Sequence, residues 1–219
     1  MDVLRRTIWN HRDAMFEGLL VTLQVTALGF TLAIVMGLAL CLVSIYVRPL
    51  RWLANFVIEF FRATPIYVQL MWVNYVWPEL FGWPNTFFQA GWTALGLQSA
   101  GYLAETFRAG IEGVDRGHIE AAHSLGMSTP LTLRRIILPQ AFHVMSPSIM
   151  NQFLVVIKSS TLVSVIAVPD LMYQALRLTA IWFEPIEILS FTAFIYVVIV
   201  FTLSWIFKWY TDRLRLRYI

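Results

Sequence analysis

Charged residues are scarce in this chain of 219 residues: Asp, Glu, Lys and Arg make up 13%, while hydrophobic residues make up 58%. A soluble domain of average composition has about 25% charged and about 45–50% apolar residues. A disordered protein is excluded, because such chains are poor in apolar residues. A soluble globule is disfavoured, because so small a volume cannot hide that much apolar surface. The composition therefore predicts an integral membrane protein.

Two kinds of chemistry lack the residues that they need. The single cysteine, Cys41, can form no disulfide within the chain and cannot build a zinc or redox site by itself. No glycine is followed by lysine, so the G-x-x-x-x-G-K-[ST] phosphate loop is missing. We therefore expect no catalytic centre and no metal site in this chain, and we expect any ATP hydrolysis to take place in a separate subunit.

Long apolar segments with few charges recur along the whole chain. A spanning helix needs roughly 20 mostly apolar residues, and this rule predicts an all-α membrane protein with about five transmembrane helices in one domain, residues 1–219. The predicted spans are residues 18–47, 52–77, 83–107, 136–158 and 187–208. The longest connection, residues 108–135, is predicted to hold a short helix flanked by turns.

Basic residues decide the predicted orientation, because the cytosolic segments of membrane proteins are enriched in Lys and Arg. With the N-terminus outside and the C-terminus in the cytosol, the outer segments carry four basic residues and the cytosolic segments carry ten. The ten are Arg48, Arg51, Arg108, Arg116, Arg134, Arg135, Lys208, Arg213, Arg215 and Arg217. The outer four are Arg5, Arg6, Arg12 and Arg177. This orientation places the 108–135 connection in the cytosol.

That connection contains a motif of fixed spacing. The motif consists of E-A-A, three residues, G, nine residues and I-x-L-P, at Glu120, Ala121, Ala122, Gly126, Ile136, Leu138 and Pro139. It resembles the signature loop in the membrane subunits of bacterial ABC importers. The resemblance implies a type I importer permease whose short coupling helix docks into a groove of a cytosolic ATPase. The alternative is an ordinary interfacial helix–turn–helix.

The residue types of the motif suit a docking helix. Ala121 and Ala122 have minimal side chains, so a partner surface can approach them closely. Gly126 is expected at the helix end, where a left-handed residue is cheapest. Pro139 is expected to open the fourth span, since the first turn of a helix does not need its missing N–H.

Four further stretches resemble permeases for polar amino acids: residues 59–70, 100–122, 138–142 and 151–166. At Ser159 the family usually has an acidic residue, which puts a charge-pair role at that position in doubt. The resemblance implies uptake of a polar amino acid such as glutamate, aspartate, glutamine, histidine or arginine. The choice among these substrates stays open.

The partners follow from what the chain lacks and from the resemblance. Five spans are few for alternating access, which normally needs two related halves. We expect a second permease subunit, identical or homologous, two ATPase subunits that bind ATP and Mg, and a periplasmic or lipid-anchored amino-acid-binding protein. The expected location is the bacterial inner membrane, with lipid around the spans and no nucleic acid. The alternative function is an ion-gradient-driven transporter or a channel subunit.

Polar residues inside predicted spans are candidates for the substrate pathway, because charges in a membrane usually face a bundle interior or a wet cavity. Glu59 suits the ammonium of an amino acid, and Arg62 or Lys158 suits its carboxylate. The alternative is that Glu59 and Arg62, three apart on a helix, neutralise each other. Gln69 and Gln152 either line the pathway or form hydrogen bonds between helices.

Small residues recur every four positions in the first predicted span, at Gly29, Ala33 and Gly37. Such a face allows two membrane helices to approach closely. The alternative is that this spacing reflects ordinary membrane composition.

Overall fold

The computed structural model describes residues 11–215, and within this part every regular element is helical. Arg5, Arg6 and Arg217, which enter the charge count above, lie outside the described residues. The helices are α1 (Arg12–Tyr46), α2 (Arg51–Ala63), α3 (Ile66–Tyr75), α4 (Trp77–Phe81), α5 (Phe87–Glu112), α6 (Arg116–Ser124), α7 (Thr129–Thr132), α8 (Leu138–Ser159), α9 (Leu171–Trp182) and α10 (Pro185–Arg215).

Three helical stretches of the described chain are long and apolar enough to cross a membrane: Arg12–Tyr46, Thr129–Ile166 and Pro185–Arg213. They contain or overlap the first, fourth and fifth predicted spans. The all-helical membrane architecture agrees with the sequence, whereas the number of five spans stays a prediction.

α1 and α5 form the centre of the bundle through small residues. Gly29, Ala33 and Gly37 are all buried on the face of α1 that meets α5. A Cβ at Gly29 would lie 3.0 Å from the carbonyl oxygen of Trp92, and one at Gly37 would lie 2.9 Å from that of Ala100. The two backbones therefore touch along this face, and the small-residue spacing in the sequence has a packing role.

The second predicted span, residues 52–77, is wrong as a single helix. α2 ends at Ala63, Thr64 is extended (φ −76°, ψ 125°) and α3 begins after Pro65. The cause is Pro65, which disfavours helical geometry in the residue before it and cannot donate a backbone hydrogen bond. The break leaves the carbonyl oxygen of Thr64 without a partner in the helix. Nε2 of Gln98 on α5 donates a hydrogen bond to this oxygen (3.2 Å).

The third predicted span, residues 83–107, and the following connection, residues 108–135, are shifted in the structure. α5 begins at Phe87, where Oγ1 of the capping Thr86 accepts a hydrogen bond from the N–H of Gln89 (3.2 Å). α5 then continues to Glu112. The connection is therefore shorter than predicted, because the first residues assigned to it extend the helix.

Pro139 lies in the first turn of α8, as predicted, but α8 continues a helical stretch that starts earlier than the predicted span. Helical structure begins at Thr129 and passes through a π-helical turn, Leu133–Ile137, in which the N–H of Leu138 donates to the carbonyl of Leu133. Pro139 follows this wide turn directly. A widened turn makes room for the proline ring, which in a regular α-helix clashes with the carbonyl four residues earlier.

A second proline, Pro147, lies inside α8. It has no N–H to offer the carbonyl of His143. Oγ of Ser146 donates to that carbonyl instead (3.1 Å), so the helix continues past the proline.

α9 is not among the predicted elements. Asp170 caps it by accepting a hydrogen bond from the N–H of Tyr173 (2.9 Å), and Oγ1 of Thr22 on α1 accepts one from the N–H of Leu171 (3.1 Å). Leu171, Ala175 and Leu178 of α9 are buried at helical spacing against α1 and α10. This packing joins the start of α1 to the start of α10.

Candidate functional site: the α6 segment and the polar residues of the helices

The E-A-A motif lies on α6, a helix of nine residues that follows α5 after a short turn. Asp115 caps its start, because Oδ1 of Asp115 accepts a hydrogen bond from the N–H of Gly117 (2.7 Å). Aspartate at this position satisfies a free N–H and favours the positive end of the helix dipole. The short helix predicted within the connection is present.

Gly126 ends this helix. It has φ +76°, and nothing lies within 4 Å of where its Cβ would be. The N–H of Gly126 donates to the carbonyl of His123 (2.9 Å), and the N–H of Met127 donates to that of Ala122 (3.1 Å). These two bonds form the Schellman motif, in which glycine provides the left-handed residue without strain. The left-handed conformation expected at Gly126 is confirmed.

The exposed surface of α6 differs in one respect from the expectation. Glu120 and Ala121 are exposed, but Ala122 is only 3% exposed and packs against its own chain. The small side chain of Ala122 therefore allows a close approach within the subunit, and the idea that it faces a partner is corrected.

Leu125 is a surface feature that the sequence reasoning missed. It follows the last residue of α6 and is 83% exposed. No local signal in the sequence predicts this exposure, because it depends on how α6 lies against the rest of the chain.

A side-chain hydrogen bond joins α6 to α8. Nδ1 of His118 donates to Oε1 of Gln140 (3.0 Å), one residue after the I-x-L-P part of the motif. Ile136 and Pro139 are partly buried in this helical stretch, and Leu138 is exposed. The two parts of the motif therefore belong to one physical unit, in which α6 is fastened to the start of α8.

Glu59 and Arg62 form an ion pair on α2, with Nη1 of Arg62 3.2 Å from Oε2 of Glu59. The Glu59 side chain is 69% exposed and that of Arg62 is 35% exposed. The guanidinium also lies over the ring of Tyr102 on α5, 5.5 Å from its centroid. The two charges thus neutralise each other in this conformation, with Arg62 packed against α5 and Glu59 on the more exposed side of the pair.

Gln69 and Gln152 form hydrogen bonds between helices. Gln69 is fully buried, and its Nε2 donates to the carbonyl of Ala94 on α5 (3.3 Å). Nε2 of Gln152 on α8 donates to Oγ of Ser99 on α5 (3.2 Å). Of the two alternatives for these residues, the structure shows the one in which they link helices.

Lys158 is exposed near the end of α8, and within the described residues it forms no ion pair with Glu59. It lines a cavity of about 370 Å³ between the end of α8, α9 and α10. The structure therefore brings together two of the three charged candidates and leaves the third elsewhere.

Residues 26–217 match the family described as "Binding-protein-dependent transport system inner membrane component". The chain is 36% identical over 203 residues to the arginine transport system permease protein ArtQ of Bacillus subtilis (strain 168), covering 92% of each chain. It is 34% identical over 203 residues to the probable glutamine ABC transporter permease protein GlnM of the same organism, covering 90% of this chain and 91% of the relative.

Solved structures show the same architecture. A chain from the "Crystal structure of an amino acid ABC transporter with histidines" superposes with a TM-score of 0.87 at 36% identity, covering 94% of this chain and 96% of that one. A chain of the MetNI methionine ABC transporter has a TM-score of 0.79 at 16% identity, covering 94% of this chain and 98% of that one, and supports the fold alone. The predicted fold class and family are confirmed, and the chain belongs to the inner membrane components of binding-protein-dependent transport systems.

Proposed function

We propose that this chain is a permease subunit of an ATP-driven ABC importer that moves a polar amino acid across the bacterial inner membrane. The observation that carries the proposal is α6, a capped helix with an exposed tip at Leu125, in a chain 36% identical to an arginine permease. Membership in a binding-protein-dependent family also supports this function over an ion-gradient-driven transporter or a channel.

The proposed complex has a second permease subunit, identical or homologous, and two ATPase subunits that bind ATP and Mg. A periplasmic or lipid-anchored binding protein delivers the amino acid. In this arrangement the N-terminus is outside, the C-terminus is in the cytosol and α6 contacts the ATPase. The exposed Glu120 and Ala121 and the apolar Leu125 supply the contact surface.

Transport then follows alternating access. ATP binding closes the ATPase pair and displaces α6. The hydrogen bond between His118 and Gln140 carries that displacement to α8. The helices open outward to receive the substrate, and hydrolysis resets them inward. The driving force is the higher affinity of ATP for the closed state, because a ligand shifts an equilibrium only by its differential affinity.

The substitution Gly126→Asp tests the role of α6. It places a negative charge at the negative end of the helix dipole and a side chain at a left-handed residue on the contact surface. We expect loss of ATP-driven uptake in proteoliposomes, with normal insertion into the membrane.

Gly82→Asp is the matched control. Gly82 also has positive φ (+67°) and no atom within 4 Å of its Cβ position, but it ends α4. Because α6 is not involved, uptake by this variant is expected to stay near the wild-type level. Full ATP-driven uptake by Gly126→Asp, or uptake that persists without ATP and stops when an ion gradient is removed, contradicts the proposal.

For the substrate pathway we propose the Glu59–Arg62 pair. An amino acid is a zwitterion, so it can replace this ion pair with two new ones, its ammonium on Glu59 and its carboxylate on Arg62. Arginine and glutamine, named for the two relatives, both carry these groups.

Glu59→Gln should raise the KM for uptake by about tenfold or more, the scale of a lost charge-assisted hydrogen bond. Glu79→Gln, at an exposed position on α4, serves as the control. Unchanged KM and rate for Glu59→Gln would remove Glu59 from the pathway without affecting the proposed role of α6.

A further inference from the structure

Lys158 lies in the last turn of α8, at the end of that helix farther from α6. It is 20 residues from Leu138, the first residue of α8. At 1.5 Å per residue this separation is about 30 Å, which equals the thickness of the hydrocarbon core, about 30 Å. With the α6 end of the bundle at one surface of the membrane, Lys158 reaches the headgroup region of the opposite surface.

Lys158 lines a cavity between the end of α8, α9 and α10. Its walls include Met172 of α9 and Leu189 and Ala193 of the first turns of α10. Apart from Lys158 the lining has no charged side chain. Within residues 11–215 no carboxylate is in ion-pair contact with Lys158. The remaining lining residues, Thr161, Thr192 and Tyr196, are uncharged and carry hydroxyl groups, so the site is one cation beside an uncharged and largely apolar wall.

The lysine and the cavity wall together indicate which kind of molecule can bind here. A basic side chain at the level of the headgroups attracts an anionic group of the lipid. An amino acid brings a carboxylate, but its ammonium would find no acidic side chain in the cavity wall. A phospholipid brings a phosphate on an apolar chain, and it is the main molecule present at this depth. Its two parts match the two parts of the site.

We propose that the cavity between α8, α9 and α10 binds a phospholipid of the leaflet opposite α6, with its phosphate at Lys158 and an acyl chain against Met172, Leu189 and Ala193. The periplasmic identity of that leaflet rests on the proposed function, but the site itself does not. The volume of about 370 Å³ accommodates part of one acyl chain. Lys158 is thereby assigned to lipid, and the substrate pathway is left to Glu59 and Arg62.

Native mass spectrometry of the intact transporter, delipidated and titrated with phosphatidylglycerol, tests the site. Lys158→Met removes the charge and keeps a long apolar side chain. We expect the affinity of the tight lipid-binding step to fall by about fivefold. This factor corresponds to the contribution of one basic residue near a membrane surface, about 1 kcal/mol. Lys208→Met is the matched control, because these two are the only lysines of the sequence and Lys208 lies toward the other end of α10.

Ala193→Phe tests the acyl chain separately. Ala193 is exposed on the cavity wall, so the larger side chain fills the cavity without displacing the core. We expect it to weaken lipid retention while the charge of Lys158 is unchanged.

Three results would overturn the proposal. Equal lipid retention by all variants means that no such site exists. Dissociation of the permease pair by Lys158→Met, with lipid retention unchanged, assigns the cavity to the second subunit. A higher KM for the amino acid with unchanged lipid retention returns Lys158 to the substrate pathway. Lipid retention is measured without ATP, so failure here is distinguishable from failure of the proposed transport function.

Discussion

α5 and α10 are both long helices, but they differ in position and in composition. Fourteen of the 26 residues of α5 are buried, and ten of these are Gly, Ala, Ser or Thr. In residues 185–213 of α10 only Ile188 and Thr192 are buried, although this helix is rich in Phe, Ile and Val. By length and composition α10 is recognised as a possible span, whereas α5 is not.

The difference shows that apolar character and burial are decoupled in this protein. In water, burying apolar side chains drives folding. In a membrane the surroundings are as apolar as the side chains, so helices associate through close packing and hydrogen bonds between small and polar residues. Of these two helices, the central one, α5, is therefore the less apolar, and the more apolar one, α10, lies at the periphery.

The largest effect is expected from enlarging a small residue of α5. A Cβ at Gly96 would already lie 2.7 Å from Cδ2 of Leu32 and 2.8 Å from the carbonyl oxygen of Gly29. Gly96→Leu should therefore separate α1 from α5 and abolish the folded protein, measured as the yield of monodisperse protein from membranes. Val197→Leu, at an exposed position of α10, should leave the yield unchanged. Equal yields would mean that α1 and α5 do not need this contact.

A smaller effect is expected within α10 itself, because its few buried residues hold it to the bundle. Ile188 is fully buried against Met15 of α1 and Leu171 of α9. Ile188→Ala should cost about 2–5 kcal/mol of folding free energy, because it leaves a cavity. Phe201→Ala, at a site 72% exposed, should cost less than about 0.5 kcal/mol. Denaturant unfolding in mixed micelles compares the two, and similar losses would contradict the difference in burial.

The smallest effect concerns Asp170, in the connection before α9, which packs against both α1 and α10. Burial raises the pKa of the Asp170 carboxyl from its usual 3.8 to about 7. The folded pKa of Asp170 lies above the unfolded one, so the folded protein holds this proton more tightly. The contribution of the protonated carboxyl to the free energy of unfolding is therefore fully present below about pH 4 and is lost as the pH rises through about 7. Asp170→Asn keeps an oxygen for the N–H of Tyr173.

We therefore expect Asp170→Asn to flatten the decline of the melting temperature between pH 5 and 8, and to leave the protein at least as stable as wild type at pH 8. Thermal unfolding at several pH values checks this. A decline as steep as in the wild type would show that Asp170 is not the group responsible.

Much of the fold was readable from the sequence, and the errors have physical causes. Segment length and charge located α1, α8 and α10, because lipid-exposed helices must be apolar. Pro65 divides the second predicted span, and Pro139 follows a widened turn inside the fourth, because the effect of a proline depends on whether its neighbours can adjust. α9 was missed because a helix of 12 residues is too short for a rule about spanning length.

The features of the candidate site that depend only on local backbone conformation could be predicted from the sequence. The left-handed turn at Gly126 follows from residue type, and its structure agrees. The burial of Ala122 and the exposure of Leu125 depend on how α6 lies against the rest of the chain, which no local pattern contains. In the same way, the distance of Lys158 from Glu59 and Arg62 depends on the rotation of α8 about its axis.

The break at Thr64 and Pro65 separates α2 from α3 in backbone hydrogen bonding and in packing. Among the described backbone groups no N–H of α3 donates to a carbonyl of α2, so the two halves share a covalent joint and no hydrogen-bond ladder. α2 packs on the half of α5 nearer α6, where Gly101 touches Ile58, and α3 packs on the other half through Gln69. α2 and α3 are therefore positioned by different stretches of α5, and they contact each other through the rings of Phe60 and Trp72, whose centroids are 5.8 Å apart.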